Sequence, residues 1–147
     1  MLLVMFKAAG ARHAIPARDV DEVAPLVSLA PLPGAPDYLA GLMNHRGASL
    51  PVADMTFLLT GRPSRRFAST RIVIALAAPG LKAGFMVERA MRTLEADPAS
   101  LVPPGAPAAP FVRAVVPLGE ELVQVLDLSK IIPQDLAASL RAALEAA

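Results

Sequence analysis

The chain has 147 residues, of which 54% are hydrophobic, with a mean hydropathy of +0.50 and a formal net charge of +1. The absence of cysteine excludes disulfides, a thiolate nucleophile and a cysteine-ligated zinc ion, and two histidines leave little material for any metal site. No segment approaches the roughly 20 apolar residues of a membrane helix, and the first residues lack a signal-peptide pattern, so we expect a cytoplasmic protein without direct membrane insertion.

The distribution of charge does not indicate a nucleic acid partner. Lysines and arginines are scattered along the chain, apart from Arg62, Arg65 and Arg66 in one short loop. Such a cluster is usually a solvated surface, whereas nucleic-acid binding needs a basic stripe or patch. We therefore expect no nucleic acid partner.

The N-terminal residues predict a β-hairpin, with strands at 1–6 and 12–16 and a turn near Gly10. Charged and apolar residues then alternate from Asp19 to Val23, so that Val20 and Val23 can face inward or into a groove while the carboxylates meet water. The pattern fits an ordinary half-buried strand as well as a groove wall.

Polar side chains are concentrated at one predicted strand end. Gly41 and Gly47 bracket a segment that contains Asn44, His45 and Arg46. Glycines permit tight turns, and a turn here presents the three polar side chains outward.

The middle of the chain predicts a buried strand pair. Arg71 to Leu76 is too apolar to have one solvated face, so we predict a central strand, with Gly84 to Glu88 as its partner. Near the C-terminus, Leu136, Leu140 and Leu144 recur every four positions, which predicts an amphipathic helix with Pro133 in its first turn.

One supersecondary unit occurs twice. Tyr38 to Leu59 aligns with Phe111 to Ile132, 73 positions downstream. In each copy, apolar residues at every second position predict a strand, and an apolar cluster follows an aspartate. These aspartates, Asp54 and Asp127, stand where a carboxylate accepts the free N–H groups of the next helical turn, so we predict both as N-caps that contribute about 1 kcal/mol each.

The similarity between the two halves extends upstream of this unit, to the predicted strand pairs and the proline-rich loops. We therefore predict that residues 1–147 form a single, mainly β domain made of two intertwined, duplicated halves.

The sequence contains no recognisable catalytic constellation. His13 and His45 lie in different elements, with no acidic or histidine partner at ligand spacing. Asp54 and Asp127 invite comparison with the aspartic proteases, but Met55 and Leu128 follow them instead of the Thr-Gly or Ser-Gly that the protease loop requires. No serine stands in a nucleophile elbow, and no glycine-rich phosphate loop occurs. We expect neither an enzyme nor a bound cofactor.

The segment Gly41-Leu42-Met43-Asn44-His45-Arg46-Gly47, followed by Leu50-Pro51-Val52-Ala53-Asp54, resembles a known signature. It is similar to the Asn-x-Arg-Gly, x-Pro-Val-x-Asp motif of the CheW-like coupling proteins of bacterial chemosensory arrays, and the likeness covers nearly the whole chain. The sequence departs from the family at His45, where an apolar residue is usual, and at His13, where an aromatic residue is common. Its Ser69-Thr70-Arg71 segment is more similar to adaptors of alternative, surface-sensing pathways than to a general motility adaptor.

This resemblance implies a fold of two SH3-like, five-stranded β-barrels with short helices. It implies a non-enzymatic adaptor that joins the cytoplasmic hairpin tip of a methyl-accepting chemoreceptor to the regulatory domain of a CheA-type histidine kinase. It also implies that Glu22 occupies the family's acidic position opposite the motif arginine, so we predict that Glu22 and Arg46 lie within salt-bridge distance.

Two barrels would leave a groove at their seam, into which a receptor helix could place apolar residues. We expect one wall to carry β-strand valines and the polar turn, and the other wall to carry the central strand pair. The partner-binding residues expected there are Val20, Val23, Asn44, His45, Arg46, Ile72 and Met86.

Two other functional classes are also compatible with the sequence. One is a regulatory-type CheW-like domain that binds other signalling proteins, as in a kinase, although the short chain carries no kinase motif. The other is a small hydrolase, which in an aspartic form would depend on Asp54 and Asp127.

Overall fold

The computed structural model of the chain is mainly β, as predicted from the sequence. The structure describes residues 1–146, and the side chains of Met91, Leu144 and Ala146 lie outside that description. Within it, the strands are β1 (Leu2–Ala8), β2 (Ala11–Pro16), β3 (Val20–Pro25), β4 (Leu39–His45), β5 (Ala48–Asp54), β6 (Thr70–Ala78), β7 (Leu81–Glu95), β8 (Val112–Leu118) and β9 (Glu121–Leu126). The helices are α1 (Met55–Thr60), α2 (Leu128–Ile131) and α3 (Gln134–Ala146).

Five strands form a first barrel that draws on both halves of the chain. β6 pairs antiparallel with β3 and with the first part of β7. That part of β7 runs parallel to β5, which forms a hairpin with β4. Ala30, in the loop after β3, exchanges two backbone hydrogen bonds with Leu42 of β4, at 2.8 and 2.9 Å. This bridge returns the chain to the side of β4 and closes the barrel.

A second barrel repeats the arrangement. β1 pairs antiparallel with β2 and with the last part of β7. β2 runs parallel to β9, which forms a hairpin with β8. Val102, in the loop after β7, exchanges two backbone hydrogen bonds with Val115 of β8, at 3.1 and 2.8 Å, so this barrel closes in the same way as the first.

Strand β7 belongs to both barrels. Residues 81–88 pair with β6, and residues 88–95 pair with β1. Where the two stretches meet, Arg89 has a φ of 52°, a left-handed conformation that is uncommon outside glycine. Its N–H donates to the carbonyl oxygen of Ser69 at 2.9 Å, and the register against β1 shifts beside it. The bulge bends β7 out of one barrel and into the other.

The two repeat units have the same register of strand pairing. Leu39 pairs with Ala53 in the first unit, and Val112 pairs with Leu126, 73 positions on, in the second. Each ladder shifts by one residue at the same place, between positions 39 and 41 in one unit and between 112 and 114 in the other. The two hairpins therefore share one pattern of strand pairing, including its irregularity, at an offset of 73 positions.

Three apolar clusters hold the barrels together. One lies inside the first barrel and includes Ile72 and Met86, and a second lies inside the other barrel and includes Val123. The third, which we call the inter-barrel core, contains Phe85 and Leu126 and joins strands of both barrels. Because side chains alternate along a strand, the central strands contribute one face to a barrel interior and the other face to the inter-barrel core.

Asp54 and Asp127 are the N-cap residues of α1 and α2. Asp54 accepts the N–H of Phe57 at 3.4 Å, and its second oxygen accepts the N–H and the hydroxyl of Ser64 at 2.8 and 3.0 Å. Asp127 accepts the N–H of Ser129 at 3.1 Å. In the first unit, Gly61 ends the helix in the left-handed conformation that a C-terminal glycine adopts easily.

The C-terminal helix α3 packs against the strands through its apolar face. Leu136 is buried and Leu140 packs against the inter-barrel core, whereas the Leu144 side chain, predicted to continue the same stripe, lies outside the described side chains. The helix starts at Gln134, so Pro133 precedes it instead of standing in its first turn. Tyr38 Oη donates to Asp135 at 2.9 Å, and burial raises the pKa of this tyrosine above its ordinary value. Among the described helices, none has the length and hydropathy to cross a bilayer.

His13 is a buried structural residue. It is 4% exposed and stacks on Phe6 with ring centroids 5.8 Å apart. Its Nε2 lies 3.1 Å from the carbonyl oxygen of Ala8, and because a carbonyl only accepts, Nε2 carries the proton. Burial lowers the pKa of His13, and the hydrogen bond to Ala8 opposes this shift in part.

We predict that Gly41→Ala strongly destabilises the first barrel. A Cβ at this position, where φ is 150°, would lie 2.8 Å from the carbonyl oxygen of Ala30 and 2.9 Å from Cβ of Leu29, so the bridge that closes the barrel must shift. We expect urea unfolding to show a loss of about 2 kcal/mol or more. Gly105→Ala, with a positive φ but open space around it, should lose only about 1 kcal/mol. Equal losses in both variants would contradict this view of Gly41.

We also predict that His13 makes stability depend on pH. The unfolded chain protonates this histidine below about pH 6.5, whereas the folded chain resists protonation to lower pH. The unfolded state therefore binds more protons, so the stabilisation is complete above about pH 6.5 and is lost as the pH falls. Chemical unfolding between pH 5 and 8, in a His45→Gln background that removes the other histidine, should show this slope flattened by His13→Phe. An unchanged slope would assign the effect to other groups.

Candidate functional site

The Asn-x-Arg-Gly segment forms the tight turn between β4 and β5. Arg46 and Gly47 are its central residues, with φ of 52° and 82°, the two positive values that a type I′ hairpin turn requires. Oδ1 of Asn44 accepts the N–H of Gly47 at 2.9 Å. The glycine adopts this conformation without steric cost and the asparagine braces the turn, which leaves the Arg46 side chain 74% exposed at its tip.

Glu22 of β3 contacts two side chains of this turn. Nη2 of Arg46 lies 3.5 Å from Oε1 of Glu22, so the predicted ion pair forms. Nε2 of His45 is hydrogen-bonded to the same oxygen. Because Arg46 is mostly exposed, its pairing contributes at most about 1 kcal/mol to stability, and its main effect is to orient the guanidinium group.

A second ion pair lies beside the first. Nζ of Lys82 is 3.0 Å from Oδ1 of Asp21, and the hydrogen bond from Lys82 holds the pKa of Asp21 below its ordinary value. The β3 carboxylates therefore each face a cation from another strand or turn. We call the residues Asn44, His45 and Arg46 with their partner Glu22 the turn surface.

The side chains of Asp21, Glu22 and His45 offer ligand atoms within 4.8 Å of one another, a set that could hold a metal ion. Arg46 and Lys82 already neutralise the two carboxylates, so a divalent cation would have to displace them. The sequence shows no acidic partner for His45 at ligand spacing, and the structure places Glu22 beside it from a distant strand. Barrel closure brings β3 beside the end of β4. Glu22 and His45 are 23 positions apart in the sequence, and such a separation does not indicate that they meet.

A groove follows the seam between the two barrels, with a volume of about 380 Å³. Val23, 38% exposed, and Pro25 project into it from β3, and the buried side chains of Val4 and Ala90 lie beneath them. We call this feature the seam groove. Its lining residues are the apolar Val4, Val23, Pro25 and Ala90 and the polar Arg71, Arg92 and Thr93.

Only part of the predicted site lies in the seam groove. Val23 lines it, whereas Val20 is half-buried and packs against the inter-barrel core. The prediction that Ile72 and Met86 form a groove wall is wrong. They are 0% and 3% exposed and belong to the interior cluster of the first barrel, because alternation along their strands points them inward.

The polar turn and the groove lie on opposite faces of β3. Glu22 stands two positions before Ala24, which faces the interior of the first barrel, so Glu22 and the turn it contacts share that face. Val23, between them in sequence, faces the groove. The predicted single site is therefore two neighbouring surfaces separated by one strand.

Sequence reasoning missed Arg71 and Arg92 in the groove. Arg71 precedes Ile72 and so points away from the barrel interior, where Nη1 donates to the carbonyl oxygens of Ala68 and Thr70 at 2.7 and 2.9 Å. The sequence indicated a special role for Arg71 only through its position as a single charge at the start of an otherwise apolar strand. No sequence feature indicated that Arg92 lines the groove, because its pairing with β1 depends on the bulge in β7.

Comparisons with known proteins agree over most of the chain. The sequence profile of the CheW-like domain matches residues 2–136. Protein FrzA of Myxococcus xanthus is 28% identical over 132 residues, which cover 86% of this chain and 82% of the relative. The crystal structure of the scaffolding protein TtCheW from Thermoanaerobacter tengcongensis is similar with a TM-score of 0.81 and 25% identity, covering 90% of this chain and 87% of that one. The predicted fold is therefore confirmed.

We predict that Glu22→Ala mobilises Arg46 without unfolding the barrel. The variant removes the oxygen that both Arg46 and His45 contact, but the exposed pair contributes little, so the unfolding free energy should fall by no more than about 1 kcal/mol. Nuclear spin relaxation of the arginine Nε–H groups should show faster motion at Arg46. In Asp21→Ala, which removes only the neighbouring pair, Arg46 should keep its order. Unchanged Arg46 dynamics in Glu22→Ala would contradict the orienting role.

Proposed function

Because the chain belongs to the CheW-like domain family, we propose that it is a non-enzymatic adaptor that couples methyl-accepting chemoreceptors to a CheA-type histidine kinase. It would act in the cytoplasm, held at a bacterial chemosensory array through its partners, in a pathway of the surface-sensing type. The observation that carries this proposal is the seam groove, which is open to solvent and has Val4, Val23, Pro25 and Ala90 among its lining residues.

The seam groove suits a helix of a receptor hairpin. Its apolar residues come from β3 on one side and from β1 and β7 on the other. An amphipathic helix binds by placing one apolar ridge in such a groove. Most of the lining backbone lies in paired strands, so little ordering would be needed on binding. Preorganisation of this kind reduces the entropic cost of association.

We assign the turn surface to partner contacts that flank the groove. Arg46 is held by Glu22 yet largely exposed, and an oriented guanidinium can make two parallel hydrogen bonds to a carboxylate or carbonyl group of a partner. Asn44 and His45 would add polar contacts beside it. An adaptor must bind two proteins at once, and surfaces on opposite faces of β3 allow this.

The contacts available at one groove are small, so we expect the affinity of a single site to be on the order of micromolar. An array in which each adaptor meets several neighbours would strengthen this binding through effective concentration. A modest affinity at each site is compatible with an array that must switch between signalling states.

The geometry of the two aspartates favours an adaptor over a hydrolase. Each carboxylate accepts hydrogen bonds from the first turn of its own helix, and Asp54 is also bonded twice by Ser64. These bonds give the aspartates a structural use in two separate repeat units. A regulatory kinase domain would use the same groove, and the full reading frame of the gene distinguishes that case.

We predict that Val23→Gln weakens binding of the receptor's cytoplasmic hairpin about tenfold, as expected for the loss of one well-placed apolar contact. Glutamine leaves the charge of the groove unchanged, and the exposed position should keep the melting temperature near that of the wild type. The measurement is binding of soluble hairpin fragments from the receptors of the same genome. Leu122→Gln, at a 60% exposed position on β9, is the matched control and should bind normally.

Arg46→Ala tests the turn surface separately and should weaken receptor binding or receptor control of the kinase while the fold is kept. Normal binding by Val23→Gln would remove the seam groove from the proposal. Normal binding and normal kinase control by Arg46→Ala would leave the turn surface with a structural role only.

A further inference from the structure

A second cavity, of about 320 Å³, adjoins the seam groove and shares Arg71 and Arg92 with it. Five of its eight lining residues are cationic and none is acidic. We call it the basic cavity. Its cations are Lys7, Arg12, Arg71, Arg89 and Arg92.

Several of these charges are not neutralised within the protein. Arg12 forms an ion pair with Glu121 at 2.5 Å, and Arg71 is tied to backbone carbonyl groups. Over residues 1–146, Lys7, Arg89 and Arg92 form no ion pair. Like charges held close together repel one another, so the cluster favours an anionic ligand.

The fold places these cations together by a specific irregularity. In the ladder between β1 and β7, the backbone of Lys7 lies opposite that of Glu88. The residue after Glu88, Arg89, has the left-handed conformation at the bulge. Its backbone is fixed by the hydrogen bond to Ser69, another lining residue. The cluster is therefore set on paired strands instead of on a mobile loop.

We propose that the basic cavity receives acidic side chains of the same partner helix whose apolar residues occupy the seam groove, an inference that rests on the proposed function. We favour this ligand because the basic cavity and the seam groove are continuous, so that one helix can occupy both. A helix with an apolar ridge at one end and glutamates or aspartates on the same face at the other end would cover both. The guanidinium groups would bind its carboxylates, the bidentate geometry that arginine favours.

Other anions fit the surface less well. A small phosphate compound would leave the adjoining apolar groove uncovered, and a nucleic acid needs a longer basic stripe than one cavity provides. The extent of the combined surface, apolar at one end and cationic at the other, matches an amphipathic protein segment.

The test uses the full chain and two synthetic helical peptides of about 18 residues, or five turns. Both carry the same apolar ridge, and they differ only at one end, where one has glutamates and the other has glutamines. Binding is measured by isothermal calorimetry and by backbone amide shifts. The double variant Arg89→Gln/Arg92→Gln is compared with Arg62→Gln/Arg65→Gln, which removes the same charge from an exposed loop.

We expect the glutamate peptide to bind about tenfold more tightly than the glutamine peptide at low ionic strength, with amide shifts at Lys7, Ser69 and Arg89. The preference should shrink as salt screens the charges. It should vanish in Arg89→Gln/Arg92→Gln and persist in the loop control. Equal affinities, no binding of either peptide, or a preference that survives Arg89→Gln/Arg92→Gln would overturn the proposal. So would inorganic phosphate shifting the same amides at lower concentration than the peptide.

Receptor hairpin fragments separate this inference from the proposed function. If the wild type binds no receptor fragment but keeps the glutamate preference, the receptor proposal is wrong and the acidic-helix preference of the cavity stands. If receptor fragments bind the wild type and Arg89→Gln/Arg92→Gln equally, the adaptor role stands and the role of the basic cavity is wrong.

Discussion

The architecture depends on the passage of single stretches of chain from one barrel into the other. β7 pairs with β6 in the first barrel and with β1 in the second, and the bulge at Arg89 gives it the bend that this requires. The β2–β3 segment makes the reciprocal crossing, from β1 to β6, through the short helical turn Ala17–Asp19. Neither barrel is complete without a strand from the other half, so the two cannot separate without breaking ladders.

The same crossing creates the surfaces that can bind partners. Strands shared between barrels must be apolar on both faces, one for a barrel interior and one for the inter-barrel core. Where the inter-barrel core reaches solvent, Val23 and Pro25 remain uncovered. The bulge that allows the crossing also displays Arg89 beside Lys7. The apolar groove and the basic cavity therefore arise from one structural device, which explains why they adjoin.

Charge in this protein is organised locally, although the net charge is only +1. Around the turn, the β3 carboxylates are each matched by a cation, so that surface is oriented and nearly neutral. Around the basic cavity, Lys7, Arg89 and Arg92 lack such partners in the described chain. This difference suits two surfaces with distinct ligands, one selected by geometry and the other by charge.

The sequence by itself determined the features that depend on local physics: the strand pattern, the aspartate caps and the turn at Asn44. Each follows from alternation, from free N–H groups or from a positive φ, and none needs a distant residue. Tertiary structure alone decided that Ile72 faces inward, that His45 meets Glu22 and that Lys7 lies near Arg89. An apolar central strand looks the same from both faces, so only the packing of the second barrel assigns its sides. Contacts between distant strands depend on barrel closure and on a bulge. Neither of these produces a periodic pattern in the sequence from which the contacts could be predicted.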